Sequence, residues 1–289
     1  MKLRDEHIGF LFTLPAFSIM ILLTFYPILH TLYLSFNEMS RETGFRMVFI
    51  GLENFFKVFN DSLYRTAFIN TLLFVLGATA LEVALGLLLA LVLSTEFRGK
   101  KYVTGLILLP MMLPTVVICS FWRIMYHTEL GIINAMLRLL GFGPVNWLGS
   151  PSLAMLSLII VDLWQYTPFT FIILYAGINS IPTSLLEAAQ IDGATSLQLL
   201  KHIVLPLIKK YILIVAMLRI IDTFRIFDKV FALTGGGPGN ATETLSFVIY
   251  KNAFRYYNFG YAAAEAVLML VAVLMIISVY IKILRGGSQ

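Results

Sequence analysis

Four side chains inside one apolar stretch carry most of the chemistry this sequence offers. Arg219, Asp222, Thr223 and Ile226 fall at i, i+3, i+4 and i+7, so a helix puts them on one face. Arg225, Asp228 and Lys229 form a neighbouring stripe. Charge in such a place has two outlets. Arg219 and Asp222, or Asp222 and Arg225, pair with one another, or the face borders a watery cavity. There a carboxylate accepts hydrogen bonds from hydroxyls, and a guanidinium grips a phosphate or carboxylate with its planar fork. Three more ionisable residues stand alone. Arg123 and Glu265 are expected near the outer interface, reaching out to water, and Glu82 packs against a polar partner or lines a gate. No metal site and no catalytic residue is expected, because His7, His30, His127 and His202 are scattered without ligand spacing. The lone Cys119 reads as a small buried apolar residue.

The elements that position these groups follow from composition. Of 289 residues 59% are hydrophobic and only 13% charged, against about 25% charged in a soluble domain. Disorder, collagen and disulfide scaffolds are excluded. Apolar runs long enough to cross about 30 Å of hydrocarbon as helix occupy 10–34, 68–93, 103–126, 153–176, 211–234 and 259–284, within a single membrane domain over 1–289. The first run is too long for a signal segment and lacks a cleavage site, so it is expected to be a retained helix.

Charge orients the spans. With the amino terminus inside, the inner segments hold ten basic residues, among them Lys2, Arg4, Lys209 and Arg285, against five acidic ones. The outer segments hold seven against six, and the spans four against five. Basic residues are denser on the side that carries both termini, which are therefore expected to be cytoplasmic. The formal charge of +5 thus follows membrane topology, and nucleic-acid binding is excluded as a main role.

The long inner loop, 177–210, has internal order. Pro182 with Thr183 or Ser184 as cap, and Glu187 behind Ser184, is a capping-box start for a short helix. Asp192-Gly193 ends it, Thr195 or Ser196 caps a second helix, and that helix runs to Leu205-Pro206. Such an element docks into a cleft on another protein or serves as an interfacial connector.

Glu187-Ala188-Ala189, Asp192-Gly193-Ala194 and Leu205-Pro206 at this spacing resemble the signature loop of the inner-membrane permeases of binding-protein-dependent ABC importers. Within that superfamily the chain looks like the MalF-type, first-permease branch of the carbohydrate importers, a branch that also takes in glycerol-3-phosphate permeases. The resemblance extends through Gly51-Leu52-Glu53-Asn54-Phe55, Asn70-Thr71-Leu72, Trp122-Arg123, Trp164, Gly235-Gly236-Gly237-Pro238 and Thr242-Glu243-Thr244-Leu245. One departure is Leu200, where the family commonly has Phe.

The resemblance implies an all-α integral membrane protein of the type I importer permease fold, with six transmembrane helices and a cytoplasmic coupling helix. It implies a second, MalG-like permease as heterodimer partner, two ATPase subunits that bind the ATP and Mg, an extracytoplasmic solute-binding protein, and membrane lipid around them. The chain itself would need no cofactor and would not be an enzyme. It has no Gly-x-x-x-x-Gly-Lys-Ser/Thr phosphate loop. Glu187, Ala188, Ala189, Asp192, Gly193, Leu200 and Pro206 would couple it to the ATPase. Gap-free alignment on Leu205-Pro206 and Gly236-Gly237-Pro238 puts Arg219, Asp222, Thr223 and Ile226 at solute-lining positions, with Asp162, Gln165, Tyr166 and Phe169 on the preceding span. The location implied is a bacterial or archaeal cytoplasmic membrane, and the solute a sugar. Glycerol-3-phosphate or another anion is the alternative, because Arg219 suits both. An ion-coupled carrier would leave the signature loop without a job.

Overall fold

The computed structural model describes residues 5–286, with side chains over 12–282. Lys2 and Arg4, and the side chain of Arg285, which were used above to orient the chain, lie outside them. The first helices are α1 (Asp5–Ser35), α2 (Glu53–Asn60) and α3 (Ser62–Leu93), with a two-residue ribbon of β1 (Asn37–Glu38) and β2 (Val48–Phe49) between α1 and α2. The ribbon is antiparallel and pairs Asn37 with Phe49 and Glu38 with Val48. There follow α4 (Lys100–Met112), α5 (Thr115–Met125), α6 (Ile132–Leu139), α7 (Pro151–Asn179), α8 (Thr183–Ile191) and α9 (Ser196–Leu199). A π-helical turn then leads into α10 (Leu205–Phe224), and α11 (Leu245–Tyr250) and α12 (Phe259–Gly286) complete the set.

Four of these helices are long and apolar enough to span a membrane: α1, α3, α7 and α12. Two expected spans are altered. Residues 103–126 form not one helix but α4 and α5, bent by 98° at Leu113-Pro114. Pro114 has no N–H to continue the ladder, and its ring pushes Leu113 into an extended conformation (φ −85°, ψ 140°). The stretch at 211–234 is helical from Leu205 but stops at Phe224, and helix resumes only at Asp228. At the break Asp222 lies between Arg219 and Arg225, and Arg225 leaves helical geometry (φ −93°, ψ 16°).

The chain forms two compact units, 5–64 with 248–272 and 65–247 with 273–286. In the first, Glu265 is fully buried rather than at an interface, because Asn252 Nδ2 donates to both its carboxylate oxygens at 2.9 Å. In the second, α3, α7 and α10 enclose a core of Ala90, Leu93, Phe171, Leu174, Ile178, Val204, Ile208 and Val215. Helices α3 and α7 approach so closely at Gly86 that a Cβ there would stand 2.1 Å from Thr170 Oγ1. Thr170 Oγ1 also donates to the Glu82 carbonyl at 2.8 Å. The close crossing therefore fixes the height of Glu82 against α7.

Candidate functional site

One full turn from that crossing, three helices bring opposite charges together. Glu82 comes from α3, Asp162 and Tyr166 from α7, and Arg219, Asp222 and Thr223 from α10; Lys229 follows the break after α10. The Arg219 guanidinium donates to Glu82 through Nε (2.5 Å) and Nη2 (2.9 Å), to Asp162 through Nη2 (2.8 Å) and to Asp222 through Nη1 (2.7 Å). Lys229 Nζ takes the other Asp162 oxygen at 2.7 Å. Arg219, Glu82, Asp162 and Lys229 are all buried, which ion pairs tolerate only when their hydrogen bonds are satisfied, as they are here. Both cations also stand over the Tyr166 ring, Arg219 at 4.2 Å and Lys229 at 4.6 Å from its centroid.

The network borders a cavity of about 90 Å³, lined by Phe74, Thr115, Asp162, Tyr166, Arg219, Asp222, Thr223, Arg225, Ile226, Phe227, Asp228 and Lys229. A space of that size admits a small cluster of waters. Arg219, Asp222, Thr223 and Ile226 meet here as their spacing implies, although Ile226 lies beyond the helix end. Asp162 and Tyr166 join them.

Gln165 and Phe169 do not line the cavity. Gln165 is buried and donates to Thr115 Oγ1 at 3.1 Å, with its own Oε1 unpartnered. Phe169 sits nearly one turn past Tyr166 and packs on the core cluster. Glu82 and Lys229, by contrast, are more central than the sequence shows, because their partners lie 137 and 67 residues away. Arg123 is exposed, and it also has protein partners. Its Nη2 donates to the Ala232 and Leu233 carbonyls at the end of the π-helical turn Val230–Thr234.

The motif segments build the wall behind Ile226. Asn70 Nδ2 donates to the carbonyls of Asn240 and Glu243, each at 3.0 Å. Thr71 Oγ1 accepts from Leu245 N, and Thr244 Oγ1 donates to the Ile226 carbonyl. The glycine-rich loop and α3 are thereby fixed to the segment that closes the cavity.

The loop after α7 also differs in detail from its sequence reading. Helix α8 starts behind Pro182 without a side-chain cap, whereas Thr195 and Gln198 form a full capping box at α9. Gly193 takes φ +82°, a left-handed conformation that suits glycine. Glu187, Ala188, Asp192, Gly193 and Pro206 are exposed and Ala189 half-buried. Leu200 instead turns inward onto the core cluster. Ile191 and Leu197, 86% and 72% exposed, add apolar surface to the loop.

Residues 82–286 match the family described as "Binding-protein-dependent transport system inner membrane component". The chain belongs to that family. This makes it a multi-pass membrane permease subunit of an ABC importer, in which separate subunits hydrolyse ATP. The permease is 36% identical over 290 residues to the trehalose/maltose transport system permease protein MalF of Thermococcus litoralis, covering 99% of this chain and 96% of that one. It is 32% identical to the sulfoquinovosyl glycerol transport system permease protein SmoG of Agrobacterium fabrum, covering 99% and 92%. Its fold matches a bacterial ABC transporter that imports the acidic polysaccharide alginate, with a TM-score of 0.87 at 22% identity over 99% of this chain and 97% of that one. The alginate transporter is also seen in complex with its alginate pentasaccharide-bound periplasmic protein, a match with a TM-score of 0.84 at 23% identity, covering 96% and 93%.

Proposed function

We propose that this permease is the first of two permease subunits forming the pathway for a neutral sugar delivered by an extracytoplasmic binding protein. Two partner ATPase subunits supply ATP and Mg, and the α8 loop, with Glu187 to Gly193 exposed, docks on them from the cytoplasm. Both termini then lie in the cytoplasm, and α10 with the segment after it makes a sixth crossing, with Arg219 and Lys229 paired inside the protein. Lipid covers the apolar faces that the partner permease leaves open.

The observation that carries the neutral solute is the state of Arg219. Four of its N–H groups point at three carboxylates, so it has little to offer an anion. The cavity lining offers carboxylate and hydroxyl oxygens beside Phe74, Tyr166 and Phe227, with Arg225 as its one exposed cation, held at 3.4 Å by Asp222, a combination that suits hydroxyls on an apolar ring. The curated relative with trehalose and maltose in its name supports the same class.

Co-reconstitution with the partner permease, ATPase and binding protein tests this. Trehalose or maltose should stimulate ATP hydrolysis and accumulate in vesicles, and glycerol-3-phosphate should do neither. Stimulation by the anion alone would reverse the assignment of solute. Uptake without the ATPase would overturn the importer reading itself.

A further inference from the structure

Between α5 and α7 the chain places an amphipathic helix with the wrong side out for water. Ile132, Met136, Leu139 and Leu140, at i, i+4, i+7 and i+8, are all exposed, Leu139 to 88%. The opposite face holds Asn134, completely buried. Its Nδ2 donates to the carbonyls of Thr128 (3.1 Å) and Val145 (2.9 Å), and its Oδ1 accepts from Val145 N (3.0 Å) and Trp147 Nε1 (3.2 Å). This hub fixes the rotation of α6. The leucines cannot roll inward without orphaning five backbone and side-chain groups, counting the longer bond to the His127 carbonyl.

We propose that α6 lies in the membrane surface, its leucine face seated among the lipids at the boundary of the hydrocarbon. The proposal rests on the chain being a membrane permease but not on the identity of its solute. Three observations favour lipid over a protein partner. Phe121 and Ile124 of the preceding α5, and Leu130 between the two helices, are exposed apolar side chains as well. Behind the helix an aromatic stack anchors it to the membrane helices, and a basic residue flanks the leucines. Trp147 packs on Tyr126, and Tyr126 on Trp122, with centroids 5.6 and 5.2 Å apart, and Arg138 stands beside the leucines with Nη2 on the Glu129 carbonyl. Finally, the four exposed positions present no polar atom. A reversible protein interface is no more apolar than ordinary surface, whereas the hydrocarbon edge matches such a face.

A consequence is that the segment is a float for the outer wall of the pathway. Its end, at Pro151, starts α7, which carries Asp162 and Tyr166. Motion of α7 along the membrane normal would have to drag the leucine face out of lipid, so α6 sets the depth at which the cavity sits.

The test places a fluorophore on Leu139→Cys, with Cys119→Ala to remove the native thiol, in the full transporter assembly in lipid nanodiscs. Met136→Cys serves as the second position should the first fail to fold, and Glu129→Cys on the same loop is the aqueous control. Phosphatidylcholine with a nitroxide at acyl carbon 5 should quench the labels at 139 or 136 at least twofold more than the control, and aqueous iodide should quench them at least twofold less. Equal iodide quenching at both kinds of site would overturn the proposal. So would shielding from iodide without lipid quenching, or shielding that begins only when the binding protein is added, because either result gives the face to a protein.

Discussion

Glu82 and Arg219, 137 residues apart, form a two-point ion pair in which Nε meets Oε2 and Nη2 meets Oε1, with both side chains buried. The pair joins α3 to α10 across the interior. Such a pair contributes little beyond what apolar packing would give, but breaking it from one side strands a charge, at about 3–5 kcal/mol. Glu82→Leu and Arg219→Met should each lower the thermal midpoint of the purified permease sharply. Glu82→Leu with Arg219→Met should lose clearly less than the sum of the singles, since Asp162 keeps Lys229 and Asp222 keeps Arg225. Additive losses in the double-mutant cycle would show that the two charges do not depend on each other.

Asp222 and Tyr166 line the cavity in different ways. Asp222 is the half-exposed end of the network and still presents carboxylate surface to the cavity. A hydrogen bond to a charged group is worth about 1.5–3 kcal/mol, so Asp222→Ala should reduce uptake at low solute by about one to two orders of magnitude while the assembly stays intact. Tyr166→Ala should reduce uptake as well, and Tyr166→Phe should not, because the ring beneath Arg219 and Lys229 is retained. Uptake assays paired with size-exclusion profiles separate transport loss from misassembly. Wild-type uptake and selectivity in both alanine variants would remove these residues from the pathway.

Gly86 predicts the tolerance of the α3–α7 crossing. An added methyl meets Thr170 Oγ1 at 2.1 Å and the Phe171 backbone N at 2.9 Å, and overpacking a core usually costs about 1–3 kcal/mol. Gly86→Ala should therefore lower stability by that order. Adding Thr170→Ala should recover only part of it, because the backbone contact remains. Full recovery in a thermal melt would mean that the threonine side chain alone sets the spacing.

How much of this was legible in the sequence depended on whether partners were local. Arg219, Asp222 and Thr223 share a helix face, so their 3.6-residue spacing declares them neighbours. Glu82 was ambiguous because its partner lies on α10, and periodicity says nothing about which helix crosses which. Arg123 and Glu265 stand alone in the sequence for the same reason: the Ala232 and Leu233 carbonyls that the exposed Arg123 reaches, and the Asn252 amide that holds the buried Glu265, come from other segments. Hydropathy found the apolar runs, yet it could not see that Pro114 bends one of them by 98° or that α10 ends at Phe224. The family motifs marked Asn70, Thr71 and Thr242 to Leu245. Only the fold brings them together behind Ile226.

Gly193 offers a test of coupling that leaves the membrane helices alone. It follows α8 with φ +82°, where an L-residue costs roughly 1–2 kcal/mol and proline, held near φ −65°, cannot fit at all. A Cβ there would meet nothing within 4 Å, so the effect of substitution is conformational rather than steric. Gly193→Pro must re-aim α8 and the exposed Glu187 while the core contacts of Leu200 and Val204 keep α10 in place. Glu187→Lys leaves the backbone unchanged and reverses one exposed charge. In the reconstituted importer both variants should assemble and let the ATPase turn over, and solute delivered per ATP should fall severalfold, more for Gly193→Pro. An unchanged transport-to-hydrolysis ratio in both would relieve the α8 loop of any part in coupling.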